Sequence, residues 1–244
     1  MSNSSYTSEV PFRLSKNFAW LVCCGFFVFD ILFVVAYLLS TLPELRSLTV
    51  SHRMVFLDLN SEANLPTNYA ILKLYFGALL SALMVFWYRG GAPFFWKISA
   101  AVLFIIGLDE SAQLHELWAA GLAVKLFGTE YLTGNQFTII PYAVILGAFY
   151  LSSLSLFPKL SKTAFVCFVS SGLLLILSQA VEWDFHAAMQ VMFGGFEMFS
   201  AILVAFDEPT LMFAWEEGLE MMGYSMLCSG VLIGIYAVQK AELS

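Results

Sequence analysis

Acidic and imidazole side chains gather at three places in an otherwise apolar chain. They are Leu108-Asp109-Glu110-Ser111-Ala112-Gln113-Leu114-His115-Glu116, Glu182-Trp183-Asp184-Phe185-His186 and Glu216-Glu217-Gly218-Leu219-Glu220. Carboxylate and imidazole together suit zinc, iron or manganese, and intramembrane carboxylates also serve as proton relays or cation sites. Each cluster lies in or beside a segment apolar enough to cross a membrane, where an ionised side chain costs about 2.5–3.5 kcal/mol at mid-span. Charges placed there must be protonated, hydrated in a cavity, or matched by cations. The one base well placed within the spans is Lys73, and with His115 and His186 it cannot neutralise every carboxylate.

Helical spacing brings the groups of each cluster together. At about 100° per residue, Asp109, Ala112, Gln113 and Glu116 share a face, with Glu110 and His115 on opposite flanks. Glu182 and His186 project together with Gln179 one turn below, while Asp184 points away. Glu216, Glu217 and Glu220 occupy one arc, which Gly223 continues as a place for another helix to come close. Divalent metal is the most economical way to hold so many acids. The expected ligands are Asp109, His115, Glu116, Glu182, His186, Glu216 and Glu220, with iron, manganese or zinc as the cofactor. Glu217 and Glu110 are left to move protons. Asp58, Glu62 and Asn64, in the loop before the second span, complete the polar set with Lys73. The fit to two-metal bundles is partial, because those use Glu-x-x-His, whereas His115 adjoins Glu116 and Glu182 stands four before His186.

Structural readings of the same residues stand beside the chemical ones. Glu216 and Glu217 favour the positive N-terminal end of a helix, although they fall about two turns inside it. His115 also suits a hydrogen-bonded position at the interface, and Glu182 with Asp184 a solvated helix end. Asp30, alone in the first span, is either a structural hydrogen-bond acceptor or a functional acid.

The elements that must position these groups are membrane spans. Hydrophobic residues make up 60% of the 244 and charged residues 12%, against the ~25% charged of a soluble domain. A net charge of −7 argues against nucleic acid as a partner. The apolar run from Phe18 to Leu39 is too long for a signal-peptide core and reads as a retained anchor. Cys23, Cys24, Cys167 and Cys228 form no C-x-x-C pair and read as small hydrophobes. Six segments reach the ~20 apolar residues that a spanning helix needs: 17–40, 68–88, 95–118, 137–157, 163–185 and 209–238. The expected fold is an all-α polytopic transmembrane bundle forming a single integral membrane domain over 1–244. The segment 187–208, broken by Gly194-Gly195, reads as an interfacial helix or a re-entrant cap.

Lysine and arginine favour the cytoplasmic connections. Arg13, Lys16, Arg89, Lys97, Lys159, Lys162 and Lys240 then place both termini in the cytoplasm and all three acidic clusters in the outer half of the bundle. Phosphate-binding, nucleophile-elbow and H-E-x-x-H motifs are missing from the sequence. Glu216-Glu217 is similar to the acidic pair of CAAX-processing membrane proteases, but Met221 stands where their arginine is expected.

Asp58 through Glu62, Asn64, Pro66 and Thr67, then Asp109-Glu110 through His115-Glu116, then Glu216-Glu217-Gly218-Leu219-Glu220-Met221-Met222-Gly223 resemble a widespread group of uncharacterised bacterial multipass membrane proteins. Members share D-E-x-x-x-x-H-E and E-E-x-x-E-x-x-G patterns. The resemblance implies an inner-membrane location and supports the position of the site, and it implies no reaction. The leading expectation is a membrane-embedded metalloprotein, an enzyme in its sharper form, acting on a lipid or apolar substrate that arrives laterally. The alternatives are a proton- or cation-coupled transporter or channel, and an accessory subunit of an oligomer or larger membrane complex.

Overall fold

The computed structural model describes residues 13–42, 59, 64–87, 93–112, 114, 125, 134–153, 161–183 and 208–242, except for the side chains of 93, 134–142, 182, 183, 208 and 242. Six helices are described: α1 Lys16–Thr41, α2 Leu65–Trp87, α3 Pro93–Ala112, α4 Gly134–Ser153, α5 Lys162–Trp183 and α6 Glu208–Glu242. Each falls on one of the six expected segments. Four of them, α1, α2, α5 and α6, are long and apolar enough to cross a membrane. Helix α3 carries Lys97, Asp109 and Glu110 within its twenty residues.

Local chemistry sets where the helices begin. The side chain of Ser15 accepts from the Phe18 N–H at 3.2 Å, that of Asn64 from Thr67 at 2.6 Å, and that of Ser161 from Ala164 at 3.2 Å. Each cap satisfies an amide of the first turn that has no partner inside the helix. Pro66, Pro93 and Pro209 sit in first turns, where a missing N–H costs nothing. The Asn64 cap with Pro66 starts α2 at Leu65, three residues before the expected span at 68.

Successive helices alternate in direction. Val34 of α1 meets Gly218 of α6, while the Leu14 amide, just before α1, donates to Gln239 near the end of α6 at 2.9 Å. Those contacts make α1 and α6 antiparallel and bring their outer ends to one face of the bundle. That face is called here the terminal end. Leu74 and Gly77 of α2 meet Gly107 and Leu103 of α3, and Leu175 and Phe168 of α5 meet Gly223 and Gly230 of α6.

Helix α6 is the hub. It packs most extensively on α5, then on α1 and α2, while α3 leans on α2, and α4 rests more lightly on α3 and α5. Its most apolar window is 72% buried, against 17% for that of α1. A helix of this length is about 50 Å long, more than the ~30 Å thickness of a hydrocarbon core. Toward the terminal end, Phe95, Phe149 and Phe168 bring α3, α4 and α5 together with ring centroids 5.7–5.9 Å apart. Leu21, Leu32, Leu72, Phe86, Val166 and Ile176 are exposed on the outside. Apolar surface of that extent suits lipid rather than water.

Close helix approach explains two glycines. A methyl on Gly223 would stand 2.8 Å from Leu175 Cδ2, and one on Gly230 would stand 2.9 Å from the Phe168 ring. Gly230→Leu is therefore expected to destabilise the detergent-solubilised protein by about 1–3 kcal/mol through overpacking. Gly25→Leu, with no atom within 4 Å of the added carbon, is expected to stay within about 0.5 kcal/mol of the parent. Denaturant unfolding measures both, and equal effects would contradict the packing described.

Candidate functional site

The single acid of α1 and the single base of α2 meet in the middle of the bundle. Lys73 Nζ lies 2.6 Å from Asp30 Oδ1, 2.9 Å from Ser225 Oγ and 3.0 Å from the Met221 carbonyl oxygen. Each of the three ammonium hydrogens has an acceptor. The Ser225 hydroxyl in turn donates to Asp30 Oδ2 at 2.5 Å, closing a ring of carboxylate, ammonium and hydroxyl. Asp30, Lys73 and Ser225 are all buried. The Tyr69 ring centroid lies 4.5 Å from the ammonium and adds a cation–π contact. The Tyr69 hydroxyl donates to the Phe26 carbonyl at 3.1 Å, tying α2 to α1, and the Cys228 thiol donates to the Lys73 carbonyl at 3.2 Å, tying α6 to α2.

A second polar centre begins at Tyr224, the residue before Ser225 on α6. Tyr224 is buried, and its hydroxyl lies 2.8 Å from Glu110 Oε1 of α3 and within hydrogen-bond distance of Glu220 Oε1, one turn earlier on α6. The packing of α3 on α2 turns Glu110 to this place. Gly107 admits Tyr75 and Leu74, and the Tyr75 and Ser111 hydroxyls lie 3.3 Å apart. A phenol has one hydrogen to donate. With a carboxyl oxygen on each side it can donate to one of them, and the other contact becomes a hydrogen bond when that carboxyl carries a proton. The trio Glu110–Tyr224–Glu220 thus places one phenolic hydrogen between two acids.

Glu220 also reaches a cavity of about 430 Å³ between α4, α5 and α6, within the size range of small-molecule sites. Leu146, Gly147, Leu175 and Ile176 supply apolar wall, and Ser178 and Gln179 stand near Glu220. The Ser178 hydroxyl and the Gln179 side-chain oxygen are buried without a hydrogen-bond partner among the described residues. Ala143 and Ile176, which line it, are exposed, so the cavity opens sideways on the outer surface of the bundle.

Two of the three acidic clusters therefore meet, through Glu110 and Glu220. Asp109, Glu216 and Glu217 are half-buried in the same stretches of α3 and α6. Among the described residues, no three His, Cys, Asp or Glu side chains gather as a set that could hold a metal. Asp58, Glu62, His115, Glu116, His186 and residues 187–207 of the segment 187–208 lie outside the described residues, as does the side chain of Glu182, while Glu208 is the first residue of α6. Asn64 caps α2, and Lys73 is committed to Asp30 rather than to the acidic clusters. Tyr224 and Ser225 were not among the expected site residues. The available signal was spacing, since Tyr224 follows Glu220 by four and shares its helix face.

Residues 25–233 match the family described as Domain of unknown function (DUF8692), so the chain belongs to that family. No curated protein and no solved structure matches it.

The buried ring predicts a specific non-additivity. Removing one partner of a buried pair leaves an uncompensated charge and costs about 3–5 kcal/mol, whereas removing both can be nearly neutral. Lys73→Met is expected to destabilise the protein by that amount, and Asp30→Asn combined with Lys73→Met by clearly less. Unfolding of the wild type, Asp30→Asn, Lys73→Met and the double variant in the same detergent gives the cycle, and simple additivity would argue against the ring.

Proposed function

We propose that this family member is a six-span protein of the bacterial inner membrane, with both termini cytoplasmic, which couples transport to a proton held by Glu110, Tyr224 and Glu220. The carrying observation is the single phenolic hydrogen of Tyr224 set between two carboxyl groups, next in sequence to the Ser225 that bridges Asp30 and Lys73. When Glu220 carries the proton, it donates to Tyr224 while Tyr224 donates to Glu110. Reversing the two hydrogen bonds transfers the proton across the phenol without moving a helix. A shift of α6 large enough to part Tyr224 from Glu110 also pulls Ser225 from the charged pair, which links the proton to a change in helix packing.

Polar groups continue from this centre toward the terminal end. Ser229 follows Ser225 by one turn on α6, and Ser81 and Ser99 stand on α2 and α3 at matching levels, one turn beyond the contact between Gly77 and Leu103. The Ser81 and Ser99 hydroxyls are buried without a hydrogen-bond partner among the described residues, and the buried Ser229 hydroxyl lies beside the Cys23 thiol. A transporter needs such a path, since a proton released at the site must reach the far side. Tyr224→Phe keeps the ring and deletes the bridge. In sealed vesicles with an internal pH dye, wild-type protein is expected to let an imposed pH gradient decay, and the variant to slow that decay by about tenfold or more, within the range of general acid–base effects. No wild-type effect, or an unaltered rate in the variant, would overturn the proposal.

A second reading keeps the metal. It is favoured by the convergence of Glu110 and Glu220 from two helices on one oxygen, which is how bundle metal sites are assembled. Asp109 and Glu216 accompany them on the same segments, and His115, Glu116, Glu182 and His186 are the remaining candidates for iron, manganese or zinc. On this reading the protein is a membrane-embedded metalloenzyme acting on a lipid or apolar substrate, with Glu217 moving a proton. Elemental analysis of protein purified without chelators decides it: stoichiometric metal that disappears in Glu220→Ala supports this reading, and none after loading with each ion removes it.

A further inference from the structure

The cavity has a chemical polarity of its own. Its floor is Tyr150, whose hydroxyl is spent on the Phe168 carbonyl at 3.0 Å, and its walls of Leu146, Gly147, Leu175 and Ile176 are hydrocarbon or bare backbone. Among the described residues, the uncommitted polar atoms that line it, those of Ser178 and Gln179, lie toward the other end. The register of α5 on α6 places Leu175 against Gly223 and Phe168 against Gly230. Three residues farther along each antiparallel helix, Ser178 comes level with Glu220. Ser178 is 1% exposed, and its hydroxyl and the neighbouring Gln179 oxygen have no hydrogen-bond partner among the described residues. A buried polar group left so costs about 1–3 kcal/mol, and two of them beside a carboxyl, at the head of an apolar chamber, call for a ligand.

The nature of the ligand follows from what these groups can do. A glutamine oxygen accepts, a carboxylate accepts, and a hydroxyl can accept from one partner while donating to another. Together they form a cradle of acceptors with negative charge available from Glu220. A carboxylate or phosphate head would meet repulsion there, whereas an ammonium has three donors and the complementary charge. We propose that this cavity binds a single-chain apolar amine, its ammonium among Glu220, Gln179 and Ser178 and its hydrocarbon tail along Leu146, Gly147 and Ile176. The exposed rim at Ala143 and Ile176 lets such a molecule enter from the lipid phase between α4 and α5. This extends the proton-coupled reading by naming its substrate class. A ligand cation on Glu220 competes with the shared proton, so arrival of one favours departure of the other.

Binding can be measured without any proton flux, which separates failure of this inference from failure of the transport reading. The full chain is placed in nanodiscs of zwitterionic phospholipid, and equilibrium binding of radiolabelled dodecylamine, dodecanol and dodecanoate is compared with that of empty discs. Saturable binding of dodecylamine about tenfold or more tighter than dodecanoate is expected, the size of one good charged contact. Glu220→Gln should erase that preference while leaving dodecanol binding in place. Gly147→Phe, whose added carbon meets nothing within 4 Å, should fill the chamber and abolish binding of all three without lowering the unfolding midpoint. Ile176→Trp at the exposed rim provides an independent block. Equal affinity for the amine and the carboxylate, or undiminished binding in both blocking variants, would overturn the proposal.

Discussion

The ion pair between Asp30 and Lys73 is the constraint from which most of the arrangement follows. Neither charge can be left alone in the apolar interior of the bundle, where water does not solvate it. Their attraction fixes the height of α1 against α2, and the hydrogen bonds of Lys73 to Met221 and Ser225 fix α6 against both. Apolar packing alone tolerates sliding between lipid-facing helices. A buried ring with every ammonium hydrogen placed does not, since a slip of one turn would strand a charge.

That register carries the acidic centre with it. Tyr224 and Ser225 are consecutive, so once Ser225 is held by the charged pair, the Tyr224 hydroxyl is delivered toward α3 and Glu220 toward α5. Close contacts at Gly223 and Gly230 then seat α5 firmly along α6, whereas α4 touches α5 at fewer points, among them Tyr150 against Gly172. Tight seams on one side and a loose seam on the other leave a chamber where they part. The chemistry of the site and the space beside it thus share one origin in the uneven packing around α6.

The sequence disclosed the helices far better than it disclosed their partnerships. Long apolar runs bounded by Ser15, Asn64-Pro66, Pro93 and Pro209 announce spans, because length and capping are local properties. The meeting of Glu110 with Glu220 was foreshadowed by the coincidence of depth between the third and sixth spans, since depth in a membrane is set by distance from the nearest polar flank. What could not be read was rotation. Helical spacing says that Asp109 and Glu110 point in different directions, but only the packing of Gly107 on Tyr75 decides which of them faces α6. Likewise Asp30 and Lys73 stood out singly as a lone acid and a lone base, and the matching of one to the other is a long-range fact. Tyr224 was overlooked because an aromatic residue in a span reads as lipid-facing bulk until its hydroxyl is placed beside two acids.

The order in which the chain is made gives α6 a further meaning. Among the described helices, translation makes α1 and α2 first and α6 after the others, yet α6 supplies two of the three acceptors around Lys73 and the side-chain amide oxygen of Gln239 that receives the Leu14 N–H. Until α6 arrives, the early helices hold an ion pair with two donors unanswered and a groove where the hub will lie. The bundle is therefore a structure whose keystone is made after the helices it locks. Those earlier helices wait as a loose, partly polar assembly, and the charged ring closes only when α6 has packed against them.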